Sequence, residues 1–273
     1  MLTKVEAQNP QGDILTLELE DISDGLVVEE VSGLGPVKAT ISTSSFGQLD
    51  GVDYQSASRD ERNVVIKLAL EPDYVTTSVY DLRLRLYNFF MTKSQVVLRF
   101  HMFDGLVVET VGRVEDCDPD MFTKEPTTSI SILCFDPDLI STVPVEISGS
   151  TVSDSTETTV TYAGSSDVGF ELTLNVDRSL SEFTIYHRLP DGSVSSFDVE
   201  ASLVASDVVK LSTINRQKGI TLTRSGATTS LLYGVSAQSE WFQLTKGDNK
   251  LRVYATGAAI PWVVDYTPRY GGL

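Results

Sequence analysis

The chain has 273 residues, 41% of them apolar, with 21 Lys and Arg against 38 Asp and Glu and a net charge of −17. That is enough apolar material for one large β domain or two ordinary ones, and too much for a disordered chain. So acidic a chain has no electrostatic means of gripping a phosphate backbone, which argues against direct DNA or RNA binding.

The acid is unevenly spread. Residues 1–140 hold 11 basic and 24 acidic side chains, a balance of −13, which leaves 10 and 14, a balance of −4, for the remainder. Two compositions in one chain point to two domains. Two cysteines make no disulfide framework. The start "MLTKVEAQNPQGDILTLELED" has no apolar signal-peptide core, and no run approaches the 18 apolar residues of a membrane span. The expectation is a soluble protein made in a reducing cytosol.

Period-two alternation dominates the chain. "DILTLELEDI" (13–22) places Leu15, Leu17 and Leu19 on one face and Thr16, Glu18 and Glu20 on the other, a half-buried strand. "LVVEEVSGLGPVKATIST" (26–43) reads as two strands broken at Gly33, Gly35 and Pro36. A polar stretch, "GQLDGVDYQSASRDER", follows with a turn at Asp50-Gly51, and "NVVIKLAL" (63–70) is the next strand.

One segment departs from this rhythm. Val79, Leu82, Leu86 and Phe89/Phe90 recur at three-to-four spacing behind Ser78, a suitable N-cap, while Arg83 and Asn88 lie off the stripe. This predicts a helix over Val79–Met91. Leu84 sits off the stripe as well, so the helix is expected to be buried on more than one side. Strands resume at "QVVLRFHMF" (95–103), "LVVETVGRVED" (106–116) and "TSISILCF" (128–135), the first two joined by an Asp104-Gly105 hairpin turn.

Residues 136–162 are rich in Ser and Thr and read as a linker, which places a domain boundary near 140–148. Short strands follow to the end, with hairpin turns expected at Pro190-Asp191-Gly192 and Lys246-Gly247-Asp248-Asn249. Short strands with regular turns mean a β-sandwich.

Candidate chemistry is sparse. Asp116, Asp118 and Asp120 begin like a calcium loop, but the positions that need Gly and Glu hold Met121 and Thr127. They read as a solvated acidic loop. Cys117 and Cys134 flank Glu125-Pro126 symmetrically and could face each other across a hairpin. For zinc, only His101 and His187 could join them, without ligand spacing. Two buried free thiols are the simpler reading. No GxSxG elbow or phosphate loop occurs. His101, inside an apolar strand, reads as a core residue; His187 reads as a strand end beside a turn. Trp241, Phe242, Tyr254, Trp262, Tyr266 and Tyr270 crowd the last third. They suit a sandwich core, and alternatively a sugar-binding platform. No catalytic, cofactor-binding or metal-binding residue is assigned, no cofactor is expected, and the chain does not read as an enzyme.

Several segments resemble the siphophage distal tail protein family. They are Gly112-Arg113-Val114-Glu115, Phe122-Thr123-Lys124, Ser129-Ile130-Ser131-Ile132 and Cys134-Phe135-Asp136-Pro137. The Gly-Pro loop at 33–36, the Asp50-Gly51 step, the Arg-containing entry to the strand after it, "WFQLTKGDNKLRVYA" and "WVVDYTPRYGGL" agree in order and spacing. Residues 150–235 carry no motif of that kind.

The resemblance implies a mainly β fold. An N-terminal β-barrel or sandwich with one flanking α-helix (1–142) would be the ring-forming, tail-tube-like domain. A C-terminal galectin-like β-sandwich (143–273) would lie outside the ring. It implies a homohexameric hub joining the tail tube protein to tail-tip or baseplate hub proteins, with a receptor-binding protein as a further partner and no membrane. DNA would pass through the lumen without specific binding, repelled by acids there. The protein would reside in the virion tail tip after assembly in the host bacterial cytoplasm. The alternative is a carbohydrate-binding sandwich that contacts the host surface.

Overall fold

A computed structural model describes residues 1–19, 23–45, 47, 50–120, 123–257 and 259–273. Glu20 to Ile22 of the first expected strand, and Met121 and Phe122 of the motifs above, lie outside the described residues. The chain divides into two compact units, residues 1–142 with 270–273, and residues 143–269. The expected fold class, mainly β with a helix on the N-terminal barrel or sandwich and a second β-sandwich, is the class of this structure.

Unit 1 contains β1 (Leu2–Gln8), β2 (Ile14–Glu18), β3 (Leu26–Ser32), β4 (Ala39–Ser44), β5 (Asp53–Arg59), β6 (Arg62–Leu70), α1 (Val79–Phe90), β7 (Gln95–Met102), β8 (Val107–Pro119), β9 (Thr127–Cys134) and β10 (Leu139–Ser141). Its main sheet runs β2-β1-β7-β8-β9-β6-β3, with β10 along β8. The neighbours in this order pair antiparallel. Its two end strands, β2 and β3, approach one another and curl the sheet toward a barrel. β6 shows why the sequence folds so: Arg62, Val64, Ile66, Leu68 and Leu70 alternate inward while the residues between them face out.

α1 starts where expected. Ser78 Oγ accepts from the Asp81 amide and the Asp81 carboxylate accepts from the Ser78 amide, a complete capping box. Leu82, Leu86, Phe89 and Phe90 are buried. Leu84, expected to be covered on a second side, is instead 44% exposed. The polar stretch before β6 holds a strand that alternation does not reveal. β5 pairs with β4 in a two-stranded arm, and no residue of either strand is buried.

Unit 2 contains β11 (Val145–Ser150), β12 (Thr158–Tyr162), β13 (Glu171–Asn175), β14 (Leu180–Arg188), β15 (Val194–Leu203), β16 (Val208–Ser212), β17 (Gly219–Arg224), β18 (Ala227–Ser230), β19 (Gly247–Tyr254) and β20 (Pro261–Tyr266). Two sheets, β11-β20-β13-β16-β17-β18 and β12-β19-β14-β15, enclose one apolar core. The Ser/Thr-rich stretch supplies β11 and β12, so it is no linker. Its Ser and Thr residues occupy strand positions, which β-branched Thr suits. The Pro190-Asp191-Gly192 turn joins β14 to β15, with Gly192 at φ +91°. The expected turn at 246–249 is displaced: Gly247, Asp248 and Asn249 already belong to β19, paired with β12.

Candidate functional site

Arg62 is the first inward residue of β6 and is fully buried. Its five N–H groups make five hydrogen bonds of 2.5 to 3.0 Å, all to backbone carbonyls: Gly33, Gly35, Pro137 twice, and Gly271. The guanidinium fork is therefore saturated, which a buried charge requires. Burial pushes its pKa down from the ordinary value, and the Cys134 thiol and the Asp138 carboxylate oppose that. Asp138, itself buried, takes a two-point ion pair from Arg59 at the end of the β4–β5 arm.

The segments that Arg62 ties are the motifs scattered along the sequence. The Gly-Pro loop, the Arg-led strand, the Cys-x-Asp-Pro end of β9 and the terminal Tyr-Gly-Gly-Leu meet at one side chain. Two glycines allow it. Gly33 has φ +84°, and a Cβ there would lie 1.9 Å from the Asn63 carbonyl oxygen; a Cβ on Gly272 would lie 2.7 Å from Pro36 N. The Leu273 amide completes the closure on the Leu34 carbonyl at 3.0 Å. By alternation alone Arg62 falls in the polar stretch before β6. One further step of the period-two row, from Val64 back to residue 62, was the available signal.

The acidic stretch is not a loop. Asp116 and Asp118 belong to β8, where a bulge at Val114/Asp116 puts both on the exposed side opposite Ser131 and Ser129. Asp120 binds Thr127 through backbone and side chain. Among the described residues, no group of three His, Cys, Asp or Glu could hold a metal ion. The cysteines do not face each other. Cys117 pairs with Ile130 and Cys134 with Gly112, so their positions differ by four residues along β9, about 13 Å. That is beyond disulfide reach. Burial raises both thiol pKa values.

The two histidines exchange the places expected of them. His101 is half-buried with Nε2 3.2 Å from Glu6 Oε2, whereas His187 is fully buried in unit 2 against Phe242. His187 Nε2 lies 3.1 Å from Asn249 Oδ1. Asn249 Oδ1 also accepts the Thr245 amide, and its Nδ2 donates to the Thr245 and Gly247 carbonyls. Oδ1 is thus an acceptor, and Nε2 carries the imidazole proton.

Burial pushes the His187 pKa below its ordinary 6.5, with the Asn249 bond opposing. Below that pH the unfolded chain takes up a proton that the folded chain resists. Unit 2 is expected to hold its full His187-dependent stability above pH 6.5 and to lose it as pH falls through the folded-state pKa. Melting followed by tryptophan fluorescence at pH 7.5 and pH 5 checks this. His187→Gln should flatten the dependence, and an unchanged slope would refute it.

The aromatic cluster is core. Trp262, Phe242 and Tyr266 are buried, Trp241 packs partly buried against them, and Tyr270 packs partly buried against the core of unit 1. Tyr254 is half-buried on β19. These side chains form no exposed platform. Large exposed aromatics occur mainly in unit 1, at Tyr54, Tyr74, Tyr80, Phe103 and Phe135.

Comparison with known proteins agrees with this architecture. Residues 163–270, most of unit 2, match the family model of the siphovirus-type tail component, C-terminal domain. The match covers most of 150–235, the stretch without a recognisable motif, and bears out the resemblance to siphophage distal tail proteins. Over nearly its whole length the chain shares the fold of the Dit protein (gp 19.1) of phage SPP1. That protein is described as a paradigm of the hub adsorption apparatus in phages infecting Gram-positive bacteria. The TM-score is 0.67 at 16% identity, over 97% of this chain and 98% of that one. A chain of the phage P2 baseplate in its activated conformation with calcium aligns at a TM-score of 0.44 and 11% identity, over 97% and 98%. No curated protein sequence matches.

Proposed function

We propose that the chain is a structural hub protein of a siphophage tail tip. Six copies close into a ring that continues the tail tube, binds tip or baseplate proteins and a receptor-binding protein, and lets DNA pass. The observation that carries this reading is the tail-component match of residues 163–270 within a chain that has the fold of a hub protein from end to end. The β4–β5 arm supports it. A lone two-stranded hairpin is marginal in water, and this one, with no buried residue, needs a neighbour to rest on. A charge of −17 per copy suits a passage that must not hold DNA phosphates. The protein then resides in the virion after assembly in the bacterial cytoplasm, and it performs no catalysis.

Immunogold labelling of intact virions with an antibody raised against the chain tests the placement. Label at the distal end of the tail is expected. Label on the capsid, or protein found in lysed cells but absent from purified virions, would overturn it.

A further inference from the structure

The strands of the β14–β15 hairpin part at its open end. Leu180 pairs with Leu203 and Glu182 with Glu200, so Ser181 faces two residues, Ala201 and Ser202, across a bulge. A cleft of 380 Å³ lies there, within the size range of small-ligand sites. Leu180, Ala201 and Leu203 line it from the apolar core, and Ser179, Ser181 and Ser202 put hydroxyls around it. Two features stand beside the cleft. The first is an ion pair. Asp207, 1% exposed, accepts from Arg224 Nε at 2.8 Å, from Arg224 Nη2 at 2.6 Å and from the Val204 amide. Arg224 Nη2 also donates to the Ser202 carbonyl at 2.9 Å, and Nη1 has no partner among the described residues. The guanidinium is thus fixed in place and its charge neutralised, with donors left over. The second is a 3-10 turn, Leu232–Gly234, that lies against β15: a Cβ on Gly234 would meet the Glu200 carbonyl oxygen at 2.4 Å. That turn holds Tyr233 80% exposed and near enough to Arg224 to act on its charge. An exposed ring at the border of a cleft offers a ligand a flat apolar face.

This chemistry selects among ligands. An extended peptide would need the open edge of β15, and that edge is taken. Val235 bridges Val199, and the Ser236 and Glu240 amides donate to the Asp198 and Ser196 carbonyls. An anion would meet a neutralised Arg224 on a chain of charge −17. A sugar ring matches. Its C–H face suits Leu180, Leu203 and the Tyr233 ring, and its hydroxyls suit three serines and a fixed N–H donor. We propose that this cleft binds one neutral hexose unit of a glycan, with Tyr233 stacking on the ring, Ser181 and Ser202 bonding its hydroxyls and Arg224 Nη1 donating to one of its oxygens. The site is separate from the buried aromatics around Trp262, and it does not rest on the hub reading.

Saturation-transfer NMR of the full chain with the methyl glycosides of glucose, galactose and N-acetylglucosamine tests the site. Transfer from the protein to at least one of them is expected. Tyr233→Ala should weaken that binding about tenfold, the effect of losing one aromatic contact. Ser181→Trp, at an exposed position, fills the cleft and should abolish transfer. Val194→Trp, at the turn end of the same hairpin, should leave it unchanged. Both Tyr233 and Ser181 face solvent, so neither variant should lose the fold. No transfer to any of the three glycosides, unchanged binding in either Tyr233→Ala or Ser181→Trp, or tighter binding of glucose 6-phosphate than of methyl glucoside would overturn the proposal. None of these outcomes touches the tail-tip placement, which the virion labelling reads separately.

Discussion

Replacing Arg62 with alanine is expected to lower the stability of unit 1 by about 2–5 kcal/mol, the range for truncating a large, fully buried side chain. The variant leaves the carbonyls of Gly33, Gly35, Pro137 and Gly271 without their donor. Hydrogen bonds from a charged donor are stronger than neutral ones, so their loss adds to that of the packing. Arg62→Lys should recover little, because an ammonium has three donors on a flexible stem and cannot reproduce the planar five-donor fork. The chain supplies its own local reporters. Both cysteines lie in unit 1, and both tryptophans lie in unit 2. Faster thiol labelling of buried Cys134 with an unchanged tryptophan transition is the expected pattern. Arg62→Ala with wild-type thiol protection would show that the convergence of motifs on this residue carries no energetic weight.

The second large effect is expected in unit 2. Trp262 is buried on β20, and its ring fills the space left by Gly149 on β11, where a Cβ would lie 2.3 Å from the indole. Trp262→Ala should cost about 3–5 kcal/mol, the range for deleting a large core aromatic. Trp262→Phe should retain most of that stability. It gives up ring volume but also removes an indole N–H that has no hydrogen-bond partner among the described residues. Urea unfolding followed through Trp241 fluorescence measures both. A sugar platform would behave oppositely, with Trp262→Ala leaving stability intact and abolishing glycan binding. An alanine variant within about 1 kcal/mol of wild type would contradict the core assignment.

Much of the fold was legible because the barrel and the sandwich bury one face of most strands. Leu15 and Leu17, or Val64 through Leu70, announce themselves by alternation. The Ser78 cap and the stripe behind it fixed the start of α1. β5 was invisible for a physical reason: an arm exposed on both faces imposes no apolar period on "DYQSASR". The histidines misled because neighbours in sequence do not report neighbours across a sheet. His187 abuts a polar turn in the chain, while its side chain points into the core beneath Phe242.

The Arg62 site was legible as motifs and not as a site. Glycines, prolines and an arginine far apart in sequence give turn chemistry. That they share one guanidinium is a property of the closed fold. Nor does anything local in Tyr270-Gly271-Gly272-Leu273 say that these residues, adjacent in sequence to the second unit, complete the first. Leu84 lies out of phase with the buried stripe of α1, and it faces solvent where a second covered side is expected from the sequence.

The most direct test of the central claim is the mass of the full chain by light scattering, with negative-stain images of the same sample. A ring of six copies of the 29.8 kDa chain is expected, with a central opening, in equilibrium with smaller species on dilution. A single 29.8 kDa species at every concentration, with no rings in the images and no copy of the chain in purified virions, would contradict it.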